Sequence, residues 1–102
     1  MNHKQFIENF KKKLAKRLKD NDYFFYKIPD FPGGPLRPFD SILVCEGKFF
    51  AIEFKVGKDR LKKHQEYYLE KVEESGSMSL VIYDDKESIE ESLTAIELTI
   101  KS

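Results

Sequence analysis

The sequence predicts a mixed α/β fold, in which a single sheet carries helices on its faces and the elements follow the order α-β-β-β-α-β-α-β. Apolar residues recur at helical spacing near the N-terminus and again after residue 60. Aromatic and β-branched runs lie between them, and a turn dipeptide, Glu46-Gly47, joins two of these runs. The antiparallel start is followed by a β-α-β unit, for which a right-handed crossover is expected.

The length of 102 residues predicts one domain, residues 1–102, because so short a chain supports a single modest core. The sequence is 40% hydrophobic and 35% charged, which is typical of a soluble globular protein. No apolar run reaches the roughly 18–20 residues of a membrane span, and no signal peptide is recognisable. We therefore expect no membrane partner and a cytoplasmic location, which is the host-cell cytoplasm if a phage encodes the chain.

The N-terminal third is predicted to contain one helix, one strand and one loop. Residues 4 to 19 carry an apolar stripe at helical spacing, formed by Phe6, Ile7, Phe10, Leu14 and Leu18. Tyr23 to Ile28 follows as a short aromatic strand. Residues 29 to 38 hold all four prolines and Gly33-Gly34, so they form a loop. Loops of this length are often functional or mobile, and this one leads directly to Asp40.

A hairpin of residues 40–45 and 48–56 places two acids side by side. With a two-residue turn, Cys45 pairs with Lys48, and the same counting puts Asp40 opposite Glu53. Opposed residues lie on one face with Cβ atoms about 4.5–5.5 Å apart. Like charges in direct opposition destabilise a sheet unless positive charge sits between them. The pairing therefore predicts a site for a hard divalent cation such as Mg²⁺.

Lys55 lies two residues beyond Glu53 and so shares its face. Taken alone, the triplet Glu-x-Lys also fits an exposed strand with a surface ion pair. Two features favour a site instead. The opposite face of the strand is wholly apolar, and basic residues flank the hairpin in sequence; the apolar residues are Phe50, Ile52, Phe54 and Val56.

The C-terminal half is predicted to add a helix, a strand, a short helix and a last strand. The helix runs from about Leu61 to Ser75, with Gly76 just beyond its end. Met78 to Tyr83 is the next strand, and residues 86 to 93 form the short helix. The last strand, Thr94 to Ile100, is predicted from alternating apolar residues at Ile96, Leu98 and Ile100.

Three further polar residues are site candidates. Gln65 falls on the buried stripe of the second helix, where its amide must be hydrogen-bonded. It either satisfies a backbone group or reaches the carboxylates or a bound phosphate. His64 is either a general base or, as we favour, a solvent-facing residue. Glu8 is the one acid on the first helix and lies off its apolar stripe, which favours plain exposure and leaves a contribution to a metal site open.

Charge is distributed unevenly, although the net charge is zero. Two basic blocks, residues 4–19 and 55–63, flank the acid pair, while the chain from Asp84 onward is acidic. Such runs are either solvated faces or a surface that follows a phosphate backbone. The candidates for nucleic-acid contact are Lys11, Lys12, Lys16, Lys27, Arg37, Lys58, Arg60, Lys62 and Lys63.

The motif Pro38-Phe39-Asp40, then Ala51-Ile52-Glu53-Phe54-Lys55, then Gln65 on the next helix resembles the PD-(D/E)XK nuclease superfamily. Within it the chain is most similar to small Holliday-junction resolvases and stand-alone phage nucleases of the VRR-NUC type. The likeness covers roughly Glu8 to Tyr83 and implies a restriction-endonuclease-like core. Phe39 is an insertion between the proline and the aspartate of the motif, and Leu36-Arg37 stands where the family has a glycine.

The resemblance implies a metal-dependent DNA endonuclease of recombination or repair that hydrolyses phosphodiester bonds, with branched DNA such as a Holliday junction as substrate. Asp40 and Glu53 would hold Mg²⁺ or Mn²⁺ with the backbone carbonyl of Phe54, and Glu8 would contribute through water. No small-molecule cofactor is implied. A homodimer is implied, since cutting a junction needs two sites.

Two catalytic roles also follow from the resemblance. Lys55 would orient the attacking water or stabilise charge on the phosphate, and Gln65 would position Lys55 or that water. Two other functions remain open from the sequence: a non-catalytic nucleic-acid-binding domain on the same fold, and a structural or interaction domain whose acidic C-terminal stretch docks on a partner. The sequence also leaves RNA open as the substrate.

Overall fold

The computed structural model describes residues 1–102 and contains four strands and three helices, in the order α-β-β-β-α-β-α. The predicted mixed fold with helices on a single sheet is confirmed. The bounds of the elements are α1 His3–Arg17, β1 Tyr23–Lys27, β2 Ser41–Cys45, β3 Lys48–Lys55, α2 Lys63–Glu74, β4 Met78–Tyr83 and α3 Lys86–Lys101.

The sheet has the strand order β1-β2-β3-β4. The first three strands are antiparallel neighbours, and β4 returns through α2 to lie parallel to β3. The β2–β3 hairpin has the predicted register, with Cys45 opposite Lys48. Its turn residues Glu46 and Gly47 have φ values of 52° and 74°. Two positive φ angles are what a type I′ turn requires, and this turn matches the twist of the flanking strands.

The main core lies on the sheet face covered by α1 and α3. Phe54 of β3 points into it, and the rings of Phe6 and Phe10 from α1 meet the Phe54 ring edge-on, each at 5.3 Å between centroids. Helix α2 packs against β3 and β4 from the opposite face. There Ala51 and Leu69 form a smaller cluster with the buried ring of Phe39. Alternate residues of β3 therefore face different environments.

The predicted last strand, residues 94 to 100, is wrong, because α3 runs without interruption to Lys101. Ile96 is buried and Ile100 half-buried, but Leu98 between them is 65% exposed, so the alternation does not mark a strand face. The residues that pack inward recur at helical spacing instead, and no glycine or proline interrupts the segment: Ile89, Leu93, Ile96 and Ile100. The chain therefore ends in one long helix rather than a fifth strand.

Helix α3 is tied to α1 by one ion-pair network. Arg17 Nη1 donates to Glu97 Oε1 at 2.6 Å, and its other terminal nitrogen contacts Glu90. These carboxylates raise the pKa of Arg17, chiefly through the hydrogen bond that Arg17 donates to Glu97. Two acids of the C-terminal stretch, Glu90 and Glu97, are therefore engaged in ion pairs within the protein. None of the three helices has the length and apolar character needed to cross a lipid bilayer.

Candidate metal and catalytic site

The residues of the predicted site meet at one end of the sheet. Strand β3 ends there at Lys55, β2 begins there directly after Asp40, and helices α1 and α2 both begin nearby. The exposed fractions are 0% for Asp40, 2% for Glu53 and 2% for Lys55. Charged side chains are almost never buried so completely unless they are paired. The three side chains therefore do not form a surface ion pair on an exposed strand, which was the competing interpretation.

Asp40 is held on the same face as Glu53, as the register predicts. Its backbone N–H donates to Glu53 Oε1 at 3.0 Å, and its own Oδ2 accepts from the backbone N–H of Phe54 at 2.8 Å. The other carboxylate oxygen, Oδ1, lies 2.6 Å from Arg37 Nη2. Asp40 Oδ1 is buried, and its contact with Arg37 is an ion pair rather than a hydrogen bond. No other donor of the protein reaches this oxygen.

Glu53, Gln65 and Lys55 form a buried chain of hydrogen bonds. Gln65 Nε2 donates to Glu53 Oε2 at 2.8 Å, and Gln65 Oε1 accepts from Lys55 Nζ at 2.9 Å. Lys55 Nζ also lies 3.4 Å from Glu53 Oε2 and 3.5 Å from Asp59 Oδ2. The amide thus bridges the carboxylate and the ammonium, which are also in direct contact with each other, and fixes the position of both groups.

Gln65 does both of the things that the sequence left open. Besides its contacts with the charged pair, its Oε1 accepts from the backbone N–H of Lys62 at 2.9 Å, just before α2 begins. Unpaired backbone N–H groups at a helix start need such acceptors. One side chain therefore fastens the start of α2 to the charged end of β3.

The environment of Glu53 favours its protonated form. Burial is the largest cause, and the negative charge of Asp40 adds to it, while Lys55 acts in the opposite direction; together they raise the pKa of Glu53 to about 7. A shift of this size reflects an acid that is poorly stabilised as an anion. Additional positive charge at this point would stabilise the carboxylate, since a metal cation binds the deprotonated form and displaces the proton.

His3 belongs to the cluster, although no pattern in the sequence indicates it. Its Nε2 lies 3.1 Å from Asp40 Oδ2 and 3.2 Å from the backbone carbonyl oxygen of Phe54. Since both partners are acceptors, Nε2 carries the proton in this arrangement. His3 is the first residue of α1, and Asn2 caps that helix by accepting from the N–H of Gln5 at 2.8 Å. In the sequence around His3, only Asn2 and Gln5 form a recognisable pattern. That pattern indicates the start of a helix and not a functional site.

The donors gathered here fit a magnesium-type ion. Two carboxylates, from Asp40 and Glu53, lie beside the main-chain carbonyl of Phe54, and a single nitrogen of His3 contacts two of these groups. Asp40 Oδ1 accepts no hydrogen bond but is paired with Arg37 Nη2 at 2.6 Å, so an ion bound here would share this oxygen with the guanidinium. Nowhere in the chain, His3, Asp40 and Glu53 included, are three or more His, Cys, Asp or Glu side chains already arranged as a metal-binding group. Mg²⁺ does not need one, because it uses one or two carboxylates and keeps several waters.

Two other acid–base candidates lie apart from this cluster. Glu8 is on the exposed side of α1, and its carboxylate is 3.7 Å from Lys11 Nζ. It makes no contact with the buried acids, so the structure does not bring it to the predicted metal site. His64 is half-buried in the first turn of α2, rather than fully solvent-facing, and its neighbour Gln65 is the residue that reaches the site.

The predicted nucleic-acid contacts fall into three groups. Four exposed cations lie in or next to the connection from β3 to α2, beside the cluster: Lys58, Arg60, Lys62 and Lys63. Lys27 ends β1 and is exposed. On α1, Lys11, Lys12 and Lys16 are exposed but lie about 12–20 Å along the helix from His3, at 1.5 Å per residue.

Arg37 differs from the other predicted contacts because its guanidinium is engaged within the protein. One terminal nitrogen pairs with Asp40, and the other donates to the carbonyl of Ile28 at 2.9 Å. Its side chain is only 20% exposed. Arg37 therefore holds the end of the proline-rich loop against the aspartate, which leaves little of it for a phosphate.

Comparison with known proteins returns no match, either among protein-family models, among curated proteins or among solved structures. The chemistry of the cluster is therefore the basis on which a function can be argued.

Proposed function

We propose that this protein is a metal-dependent endonuclease that hydrolyses phosphodiester bonds in DNA, with Mg²⁺ or Mn²⁺ bound by Asp40 and Glu53. The observation that carries the proposal is the complete burial of both acids and of Lys55 in one hydrogen-bonded cluster beside exposed cations. Burying charges costs several kcal/mol per ion, and well-packed apolar residues often stabilise a protein better. Stability therefore does not explain two buried acids side by side, and a functional role does.

The ion would be held by Asp40, Glu53 and the carbonyl oxygen of Phe54, and when bound it supplies a polarising charge for the phosphate and an acidified water. Lys55 presents its ammonium next to this point, fixed by Gln65 at 2.9 Å. An ammonium held in a water-poor site stabilises negative charge that develops on the phosphate. Gln65 is a positioning residue, because it hydrogen-bonds to both charged partners and orients them.

His3 is proposed as a third side-chain donor. Its Nε2 already contacts the carboxylate of Asp40 and the carbonyl of Phe54, which are two of the three groups proposed to hold the ion. To coordinate, the imidazole would carry its proton on Nδ1 instead of Nε2. This assignment takes the place of Glu8, which is exposed and paired with Lys11.

DNA as the substrate is supported by charge and by helix geometry. Exposed cations, including Lys58 and Lys62, follow directly on Lys55, and cations so placed bind phosphates. The N-termini of α1 and α2 both lie at the cluster, and the positive end of a helix dipole favours anions. A branched substrate and a homodimer rest on the resemblance to junction resolvases, because one chain offers one such cluster.

Two other functions compete with this proposal. A non-catalytic nucleic-acid-binding domain would need the cations but not the buried acids. An interaction domain that docks through its acidic C-terminal stretch would need those acids to be available, whereas Glu90 and Glu97 pair with Arg17 of α1. The buried cluster is unexplained by either function, so the nuclease is preferred.

Cleavage assays distinguish the three functions. Four-way junction, flap and linear duplex DNA would each be incubated with the protein in Mg²⁺, in Mn²⁺ and in EDTA. The nuclease predicts cutting in either metal, none in EDTA and none by Glu53→Gln, with paired symmetric nicks in a junction if the protein is a dimer. DNA binding without cutting in any metal, unchanged in Glu53→Gln, would reject the nuclease.

A further inference from the structure

We propose that an aromatic trough beside the acid cluster binds unpaired nucleobases, so that the substrate carries a single-stranded stretch next to the bond that is cut. The inference rests on the proposed function and names its class of substrate. We use the name trough for the aromatic side chains on the face of the sheet that carries the acid cluster. Phe24 and Tyr26 of β1 are exposed, while Phe49 and Tyr68 line a cavity beside α2 together with the largely buried Phe39.

Strand register places the trough on the face that carries Glu53. Tyr26 is opposite Ile42, and Ile42 is opposite Ala51, which lies two residues from Glu53 on the same side of β3. Ile42 is also two residues from Asp40, so Tyr26 lies about 7 Å along the strands from the level of the acids, at 3.3–3.4 Å per residue. One nucleotide of an extended single strand spans a comparable distance. Two adjacent nucleotides could therefore lie one at Tyr26 and the other at the acid cluster.

The edge of the trough is an exposed pair of rings on β1. Phe24 is 56% exposed and Tyr26 is 45% exposed, and the two rings are nearly parallel, with 8° between their planes and 6.0 Å between their centroids. Helix α2 packs on β3 and β4, so β1 stands beyond the part of the sheet that this helix covers. Exposed rings in series on a sheet are a surface on which bases stack, independently of sequence.

The other side of the trough is a cavity of about 350 Å³ between α2 and the sheet. Phe39, Phe49 and Tyr68 contribute rings to its lining, and Phe39 immediately precedes Asp40. Polar groups complete the lining and can bond to the edges of a base or to a phosphate: Lys71, Ser75 and Ser77. A site of this size with aromatic walls and a few polar groups is typical of small-ligand pockets, and a nucleobase fits that description.

A nucleic-acid strand suits this surface better than a second copy of the chain. Most of the large side chains of the trough are aromatic, and one of them, Phe39, directly precedes Asp40 in sequence. Lys71 on its rim is paired with Glu74 at 3.1 Å, whereas the exposed Lys27 directly follows the ring pair at the end of β1. Ring faces that stack on bases, with cations nearby for the backbone, are features of single-strand binding sites. Strand β1 is also an edge of the sheet, so pairing with a second copy is the alternative that an experiment must separate.

Binding measured without cutting tests the proposal. The wild-type protein in EDTA is titrated into fluorescent oligothymidylate, oligouridylate and a duplex of the same length, and anisotropy is recorded. We expect tighter binding of one or both single strands than of the duplex, and the two oligonucleotides distinguish DNA from RNA. Stacking on one ring contributes about 5- to 150-fold in affinity, so Tyr26→Ala and Tyr68→Ala should each weaken single-strand binding by that order.

Controls separate the loss of a ring from the loss of the fold. Tyr26→Phe keeps the ring and should bind as the wild type does. Leu98→Ala removes a more exposed apolar side chain, on α3, and should have no effect. Unchanged binding by the alanine variants, or a preference for the duplex, overturns the trough. So does a change from dimer to monomer in sedimentation of Tyr26→Ala, because the face is then an interface between copies.

Cleavage in Mg²⁺ distinguishes failure of this inference from failure of the proposed function. If single strands bind through the rings but no substrate is cut, the base-binding trough is supported and the nuclease function is rejected. If DNA is cut and the ring variants cut flap, junction and duplex as the wild type does, the nuclease function is supported and the base-binding trough is rejected.

Discussion

The two faces of strand β3 differ sharply in chemistry, although both are buried. Phe50, Ile52 and Phe54 point into the main core and are at most 1% exposed. Glu53 and Lys55 alternate with them and are just as deeply buried, but they are charged and lie in a network of hydrogen bonds. Burial alone therefore does not reveal what a position contributes.

The difference separates stability from chemistry within one strand. Removing apolar surface from water is the main favourable contribution to folding, at about 25 cal/mol per Å². Buried charges instead cost desolvation, which hydrogen bonds such as those of Gln65 repay only in part. The apolar face should accordingly govern the free energy of unfolding, and the charged face should govern metal binding and cleavage. Substitutions on each face test whether stability and metal chemistry are separated in this way.

The largest effect is expected from Glu53→Gln. We expect cleavage to fall by at least about a thousand-fold, or about 4 kcal/mol of transition-state stabilisation, because the amide cannot replace a carboxylate at a cation. The free energy of unfolding should fall by about 1–3 kcal/mol, because the amide keeps only one of the two oxygens that accept from Asp40 N–H and Gln65 Nε2. Rates and urea denaturation measure the two quantities. Glu8→Gln, an exposed acid of α1, is the matched control and should leave both unchanged.

Ile52→Ala should show the opposite pattern. Ile52 is completely buried among apolar side chains, so its truncation should lower the free energy of unfolding by about 2–5 kcal/mol through lost burial and a residual cavity. Metal affinity of the folded protein should remain within about twofold of wild type. Urea denaturation and Mn²⁺ titration check these expectations, and a large loss of Mn²⁺ affinity at full folding would show that the faces are coupled.

His3→Ala tests whether the imidazole is a ligand or only occupies the place of the ion. As a ligand, its loss should weaken Mn²⁺ binding by about 10- to 100-fold, the range typical of disrupted metal sites. His3 is at the start of α1 and part-exposed, so stability should change little. Calorimetric titration with Mn²⁺ gives the answer. Tighter binding by the variant would mean that His3 must move away before the ion can bind.

The stability of the metal-free protein should depend on pH through Glu53. Its pKa is raised from 4.5 to about 7 on folding, so the folded state binds this proton more tightly than the unfolded state. The stabilisation is present below about pH 4.5 and is lost as pH rises towards 7, by up to about 3 kcal/mol for a pKa change of this size. Denaturation across this window in EDTA should show the fall in wild type and a smaller one in Glu53→Gln. Equal slopes would assign the titration to another group.

The sequence predicted those parts of the site that depend on local pairing. The turn at Glu46-Gly47 sets the hairpin register, and this register brings Asp40 beside Glu53. The apolar stripe of α2 placed Gln65 on its inner side, although Tyr68 of the same stripe is 41% exposed. Both predictions use short-range periodicity, which a sequence records directly.

The remaining features depend on contacts between distant segments. His3 reaches Asp40 across 37 residues and Phe54 across 51, and no local pattern encodes how α1 packs against the end of β3. The last strand was mispredicted because Ile96, Leu98 and Ile100 fit a period of two over a short stretch, while the helical period appears only over the longer segment from Ile89. Periodicity over a few residues cannot separate the two structures.

The most direct test of the metal site is anomalous diffraction from crystals grown or soaked with Mn²⁺. We predict an anomalous peak at the end of β3, within coordination distance of carboxylate oxygens from Asp40 and Glu53 and of the carbonyl oxygen of Phe54, with His3 Nε2 as a further ligand. The peak should disappear in Glu53→Gln. Crystals that contain Mn²⁺ elsewhere but none at this cluster, with both acids intact and accessible to the soak, would contradict the account.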